Sequence, residues 1–146
     1  MDFDIAKEDW NEYKLEDETL LKIKFLLIKV VKSNEYDDVG NPVYSTNSQN
    51  IIGVFSPKHL RGTPDERKYS PEELSSSIVK EDLGFETIKE NWNVYRLKDG
   101  TTLSIKLVLS SLSRTSKFDS RGEPIYIVQT QPIFKGKVPP QLKKKT

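Results

Sequence analysis

Few residues in this chain have the types and spacing that covalent catalysis requires. His59 is the single histidine and there is no cysteine, so neither a zinc-type ligand set nor a cysteine nucleophile is available. Asp37 and Asp119 occupy matching loops, but one carboxylate per loop gives too few ligands for a hard cation. The sequence contains no glycine-rich phosphate loop and no H-E-x-x-H motif. We therefore predict no catalytic residue, no metal site and no cofactor.

Aromatic and basic side chains are better candidates, because they suit non-covalent binding. Tyr36 and Phe118 lie in polar loops, where each ring either contacts a ligand or folds back onto its own hairpin. Nearby positive charge could bind a nucleic-acid backbone, or it could form an ordinary solvated sheet face. The candidate binding residues are Tyr36, Phe118, Trp92, Arg96, Lys106, Arg114, Lys117 and Arg121.

These candidates belong to a duplicated frame. A shift of 82 positions aligns residues 3–60 (copy 1) with 85–142 (copy 2) without a gap, and 21 of the 58 pairs are identical. Unrelated segments of this length would share about 3 or 4 residues, so the copies descend from one unit. Three aromatic pairs recur in this frame: Trp10/Trp92, Tyr13/Tyr95 and Tyr44/Tyr126. We interpret them as core residues, because large rings dominate burial in small β modules.

The copies differ in charge. Residues 1–57 contain 6 lysines and 11 acidic residues, whereas residues 85–146 contain 12 basic and 5 acidic residues. The net charge of +1 therefore hides an acidic copy 1 and a basic copy 2, which ends in Lys143–Lys145. An acidic copy of one molecule could contact the basic copy of another.

The spacing of apolar residues predicts mainly β structure in each copy. Asp17 and Asp99 occupy a tight turn that is followed by a long alternating strand. Because the alternation breaks after Leu27, we expect a bend or bulge there. A polar loop and two return strands follow, at residues 43–48 and 51–55 in copy 1.

Between the copies, Ser70-Pro-Glu-Glu73 has the pattern of a capping box and predicts a helix near 71–82. The apolar spacing of residues 3–10 and 85–92 slightly favours a helical turn over a strand.

The predicted architecture is mainly β: a tandem duplication of a small SH3/OB-like β-barrel or curved meander of about 60 residues. Its parts are an acidic module (1–60), a linker with one α-helix (61–84), a basic module (85–142) and a basic tail (143–146). The amino terminus does not resemble a secretory signal, and no apolar run reaches the roughly 20 residues of a membrane span. We expect a cytoplasmic protein that does not act at a membrane.

We expect a non-enzymatic binding or assembly protein, whose partner is another protein or a second copy of the chain. A nucleic-acid-binding protein that acts through the basic second module is the alternative. A third alternative is a carboxylate-based enzyme at the cleft between the modules.

Overall fold

In the computed structural model, which describes residues 1–144, the chain is mainly β. Lys145 and Thr146, the end of the predicted basic tail, lie outside the described residues. The strands are β1 (Phe3–Lys7), β2 (Trp10–Leu15), β3 (Leu20–Tyr36), β4 (Pro42–Phe55), β5 (Ile78–Lys80), β6 (Phe85–Lys89), β7 (Asn93–Leu97), β8 (Thr102–Phe118) and β9 (Pro124–Lys137). One short helix, α1 (Pro71–Ser75), and two 3₁₀ turns, Lys58–Leu60 and Pro140–Leu142, complete the described structure.

The two copies exchange their first strands. Sheet A has the order β1-β7-β8, with β9 and the short β5 also paired to β8, and sheet B has the order β4-β3-β2-β6. Thus β1 of copy 1 pairs with β7 of copy 2, placing Phe3 opposite Leu97. In the same way β6 of copy 2 pairs with β2 of copy 1, placing Phe85 opposite Leu15. Each sheet therefore contains strands from both copies.

The turns and bulges follow the sequence pattern. Thr19 N donates to Asp17 Oδ1 in the first turn, where Glu18 has φ of 72°. Its counterpart in copy 2 is Gly100, whose φ is 94°. The predicted bulge in the long strand is confirmed, because the pairing of β3 with β4 shifts register between Leu27 and Lys29. The two predicted return strands of copy 1 form one continuous strand, β4.

One hydrophobic core lies between the inner faces of the two sheets. Alternate residues of β3 and β8 are buried there, and Tyr13 and Tyr95 are fully buried. Phe3 packs edge-on against Tyr95, with ring centroids 5.8 Å apart, and Phe85 packs against Tyr13 at the same distance. The prediction that tyrosines fill the core is confirmed for these two residues and for the buried Tyr126.

Two predictions of secondary structure are wrong. The capping box at Ser70 is present, but the helix ends at Ser75 instead of continuing to 82. Residues Ile78–Lys80 form β5 because β8 offers an unpaired edge at Arg114 and Thr115. The segments 3–10 and 85–92 contain strands instead of a helical turn, because each pairs with the opposite copy.

The SH3/OB-like barrel is also not what forms. In the described chain, neither sheet closes into a barrel, because β4 and β9 remain edge strands. No helix among residues 1–144 is long and apolar enough to cross a membrane.

Candidate functional site

A tyrosine–carboxylate cluster joins copy 1 to copy 2 beneath the first hairpin turn. Tyr126 Oη donates to Asp17 Oδ2 at 2.7 Å and lies 3.0 Å from the hydroxyl of Thr19. Arg114 Nη1 lies 2.9 Å from the same carboxylate oxygen, and the Asp17 side chain is 7% exposed. Arg114 was a candidate ligand contact, but here its guanidinium neutralises a carboxylate of the other copy.

The same arrangement recurs on the other side of the molecule. Tyr44 Oη donates to Asp99 Oδ2 at 2.5 Å and lies 2.9 Å from Thr101 Oγ1. Lys32 Nζ lies 3.9 Å from Asp99, in the position that corresponds to Arg114. The two clusters therefore consist of residues at equivalent positions of copy 1 and copy 2.

Burial and hydrogen bonding shift the pKa values in these clusters. Burial alone would raise the pKa of Asp17, but hydrogen bonds from Tyr126, Thr19 and Arg114 outweigh it and lower that pKa. The pKa of Asp99 is lowered in the same way, with Tyr44 as the main donor. Burial, followed by the bond to Asp99, raises the pKa of Tyr44 to about 12. At neutral pH these are ionised carboxylates held by neutral phenols, an arrangement that stabilises the contact between copies.

A second pair of carboxylates supports the bulges. Tyr95 Oη donates to Glu8 Oε2 at 2.6 Å, and Leu27 N approaches the same oxygen at 3.4 Å. Glu90 receives the equivalent bonds from Tyr13 Oη at 2.5 Å and Leu109 N at 3.3 Å. These carboxylates accept bonds from the opposite copy, so their retention in both copies has a structural cause.

Other identical residues lie away from the core, on the outer face of each sheet. In sheet B the register aligns Trp10, Lys24 and Ile51 in one row across β2, β3 and β4. Lys24 Nζ lies 5.8 Å from the Trp10 ring, and Ile51 is 45% exposed. We call this set the Trp-Lys-Ile row of sheet B.

The corresponding row of sheet A consists of Trp92, Lys106 and Ile133. Lys106 lies opposite Ile133, which is 47% exposed, and Trp92 immediately precedes β7. Trp10 and Trp92 are half-buried on these outer faces, so the interpretation of both as core residues is wrong.

The outer face of sheet A is the more basic of the two. The register places Arg96, Thr102 and Lys137 in one row and Val94, Ser104 and Lys135 in the next. Lys135 Nζ lies 5.6 Å from the ring of Trp92. Asp4 of β1 lies opposite Arg96 at the edge of this face. The structure therefore brings together three predicted residues, Trp92, Arg96 and Lys106, and adds Lys135 and Lys137.

The loop candidates lie elsewhere. Phe118 is half-buried against the linker, where a Cβ added at Gly62 would lie 2.5 Å from its ring. Lys117 Nζ lies 5.3 Å from the ring of Tyr69, and Arg121 faces a cavity beside β4. Tyr36 is 45% exposed, and Lys144 Nζ lies 5.8 Å from its ring. These loop residues do not join the outer-face group.

A gap between two edge strands, β4 and β9, forms a different kind of candidate site. The strands run antiparallel on either side of this gap, which we call the seam, but they are not hydrogen-bonded to each other. Asn50 Nδ2 and Thr130 Oγ1 meet near its midpoint at 3.4 Å. Three apolar side chains that line the cavities of the seam are exposed: Ile52, Phe55 and Phe134.

The two ends of the seam differ. At one end the buried Glu123 accepts a hydrogen bond from Ser56 N at 3.0 Å and another from Ser56 Oγ, and it pairs with Arg61 at 3.0 Å. At the other end the symmetry-equivalent positions hold Asn41, Val138 and Lys143. The Oδ1 atom of Asn41 is buried there and has no hydrogen-bond partner among the described residues. We call these the closed end and the open end.

Comparison with known proteins gives no family for this chain: no protein-family model, no curated protein and no solved structure matches it. Among residues 1–144, no group of three or more His, Asp or Glu side chains is placed to hold a metal ion.

The sequence alone did not indicate the seam. The one available signal in the sequence was the difference between β4 and β9, which occupy the same position in the two copies. β4 has no charged residue, whereas β9 contains Lys135 and Lys137, and β9 also contains Pro132.

Proposed function

We propose that this protein is a non-enzymatic binding protein whose outer sheet faces contact a partner. The observation that carries the proposal is the Trp-Lys-Ile row, which is identical in both copies and lies on the outer sheet face in both, with an exposed Ile and a half-buried Trp and Lys. A Trp beside an exposed Ile and a Lys suits a protein contact, because aromatic anchors dominate binding energy at interfaces. The partner is another protein or a second molecule of the same chain, since the opposite charges of the copies favour association between molecules.

The test compares the row with the core. If the row serves binding, Trp10→Ala and Trp92→Ala should each lower the free energy of unfolding by only about 1 kcal/mol. Tyr95→Ala, at a fully buried position, should lower it by about 3 to 5 kcal/mol. Urea unfolding followed by circular dichroism measures all three. Losses at the two tryptophans as large as that at Tyr95 would show that the row stabilises the fold instead.

Self-association through oppositely charged copies is tested separately. Light scattering of the intact protein should then show a molecular mass that rises with concentration and falls with salt. A constant monomer mass at all salt concentrations would leave only a different protein as the partner.

Nucleic-acid binding is a second candidate function, favoured by the basic outer face of sheet A around Trp92. A flat sheet face with an aromatic ring and several cations suits the phosphates and bases of a single strand. Fluorescence anisotropy with a single-stranded oligonucleotide at low salt would detect it. Lys106→Glu should weaken binding by at least about tenfold, whereas the matched Lys24→Glu should change it less than about twofold. Equal effects of the two variants, or no binding at all, would remove this candidate.

A further inference from the structure

The open end of the seam has the features of a second binding site, which adjoins the outer face of sheet A and shares Lys135 and Lys137 with it. We propose that it binds a short, extended, acidic peptide segment of a partner protein, which lies between β4 and β9. The closed end serves as an internal comparison, because the main chain crosses both ends in the same way and only the side chains differ. Gly62 N donates to Gly122 O at 3.0 Å at the closed end, and Lys144 N donates to Gly40 O at 2.8 Å at the open end.

At the closed end, the Glu123 side chain accepts a hydrogen bond from the main-chain N–H of Ser56, the residue that follows β4. Ser56 also donates its hydroxyl to Glu123, and the Arg61 guanidinium forms an ion pair with the same carboxylate. At the open end Val138 replaces Ser56, and the buried Oδ1 of Asn41 accepts no bond from the described residues. The serine bonds and the ion pair that hold position 123 at the closed end therefore have no counterpart among the described residues of the open end.

Beside Asn41 lies a cavity of about 180 Å³. Its lining includes Tyr44, Thr46, Leu103, Phe134 and Val138, and Phe134 is 50% exposed. At roughly 30 Å³ per water molecule, this volume equals about six waters, which is enough for one apolar side chain. Asp37 also borders the cavity, but its Oδ1 already accepts bonds from Val39 N and Asn41 N.

The charges around the seam favour an acidic ligand. Neither 42–57 nor 124–139, the stretches that contain β4 and β9, includes an aspartate or glutamate. Lys135 and Lys137 alternate with Phe134 and Gly136 along β9, and Lys143 follows shortly afterwards. A strand with alternating residues would thus direct apolar side chains to the cavity and carboxylates to the lysines.

The two strands that border the site favour a single extended peptide as the ligand over the edge strand of another folded sheet. At the open end β4 and β9 line the same cavity, so a ligand there must fit between two strands. A single strand needs only the main-chain groups that edge strands leave unpaired. Those groups and the apolar cavity favour a peptide over an oligonucleotide, whose bases would leave the main-chain groups unpaired.

The test uses fluorescence anisotropy of the intact protein with a short fluorescein-labelled peptide that alternates glutamate with leucine. We expect saturable binding, and a peptide of the same length that alternates lysine with leucine should bind at least about tenfold more weakly. Phe134→Asp should weaken binding of the acidic peptide by at least about tenfold. Ile52→Asp changes the equivalent, similarly exposed residue near the closed end, and should alter binding less than about twofold.

Three outcomes would overturn this site. These are no binding of the acidic peptide, equal effects of Phe134→Asp and Ile52→Asp, and displacement of the peptide by a single-stranded oligonucleotide at equal concentration. Circular dichroism of both variants confirms that each is folded before binding is measured. The outer-face proposal is tested with other residues, so failure at the seam leaves it intact.

Discussion

Tyr126 of copy 2 donates a hydrogen bond to Asp17 of copy 1 across 2.7 Å, and Arg114 of copy 2 holds the same carboxylate oxygen. Asp17 therefore lies in a turn of copy 1, whereas the arginine that pairs with its carboxylate belongs to copy 2. Since the side chain of Asp17 is 7% exposed, solvent screens this pair only weakly.

Asp17→Asn should lower the free energy of unfolding at pH 7 by about 2 kcal/mol, because Arg114 and Tyr126 lose an ionised acceptor. Asp99→Asn should cost less, since Lys32 lies 3.9 Å from its carboxylate compared with 2.9 Å for Arg114. Urea unfolding measures both variants. A larger loss for Asp99→Asn would contradict the assignment of Arg114 as the stronger partner.

The same carboxylate predicts a dependence of stability on pH. Folding lowers the pKa of Asp17 below its usual value of 3.8, so its ionised form is favoured in the folded state. Its contribution should be fully present above pH 3.8 and should disappear as pH falls through the lower folded pKa. The difference in stability between wild type and Asp17→Asn should therefore shrink in acid. A difference that stays constant from pH 7 to acid would show that ionisation of Asp17 is not its source.

Cleavage of the linker should leave the molecule assembled. A protease site inserted after Glu66, in an exposed part of the linker, would separate the two copies covalently. Because β1 and β6 are paired with the opposite copies, both fragments should elute together in gel filtration and retain their circular dichroism spectrum. They should separate only in denaturant. Fragments that separate without denaturant would mean that the exchanged strands contribute little to association.

Gly122 and Gly136 form a matched pair of substitution sites, because a side chain is sterically excluded at the first and accommodated at the second. Gly122 has φ of 80°, and a Cβ there would lie 2.6 Å from the carbonyl oxygen of Gly62. Gly122→Ala should therefore cost roughly 2 to 3 kcal/mol, through left-handed strain and displacement of the linker. A Cβ at Gly136 would meet nothing within 4 Å, so Gly136→Ala should change the free energy of unfolding by less than about 1 kcal/mol. Thermal unfolding compares the two variants, and equal losses would contradict the close approach of Gly62.

Local features of this fold could be predicted from the sequence, because they depend on neighbouring residues. The tight turns at Asp17 and Asp99, the bulge after Leu27 and the capping box at Ser70 each follow from residues a few positions apart. The predicted helix is longer than the observed one, because the apolar spacing of Leu74 and Ile78 fits a helix, whereas Ile78 belongs to a strand that pairs with β8.

The strand exchange and the seam could not be predicted in this way, because both depend on contacts between residues far apart in the chain. Phe3 and Phe85 each contact the tyrosine of the other copy, and a repeat in the sequence does not specify which copy a strand joins. For the same reason, the outer-face group was only partly predicted: Lys106 and Trp92 were identified as basic and aromatic residues of copy 2, but their row with Ile133 required the register of β8 and β9.

The exchange of first strands also sets the order in which the chain can fold during synthesis. The pairing of β1 with β7, which places Phe3 opposite Leu97, cannot form until β7 of copy 2 has been synthesised. While copy 1 leaves the ribosome, β1 therefore has no partner strand. Until β6 arrives, β2 likewise exposes the edge that faces Phe85, and the nascent copy 1 remains incomplete. Contacts this distant in sequence slow folding, so sheet B is complete only when β6 has been made, and β1 joins sheet A only after β7 has been made.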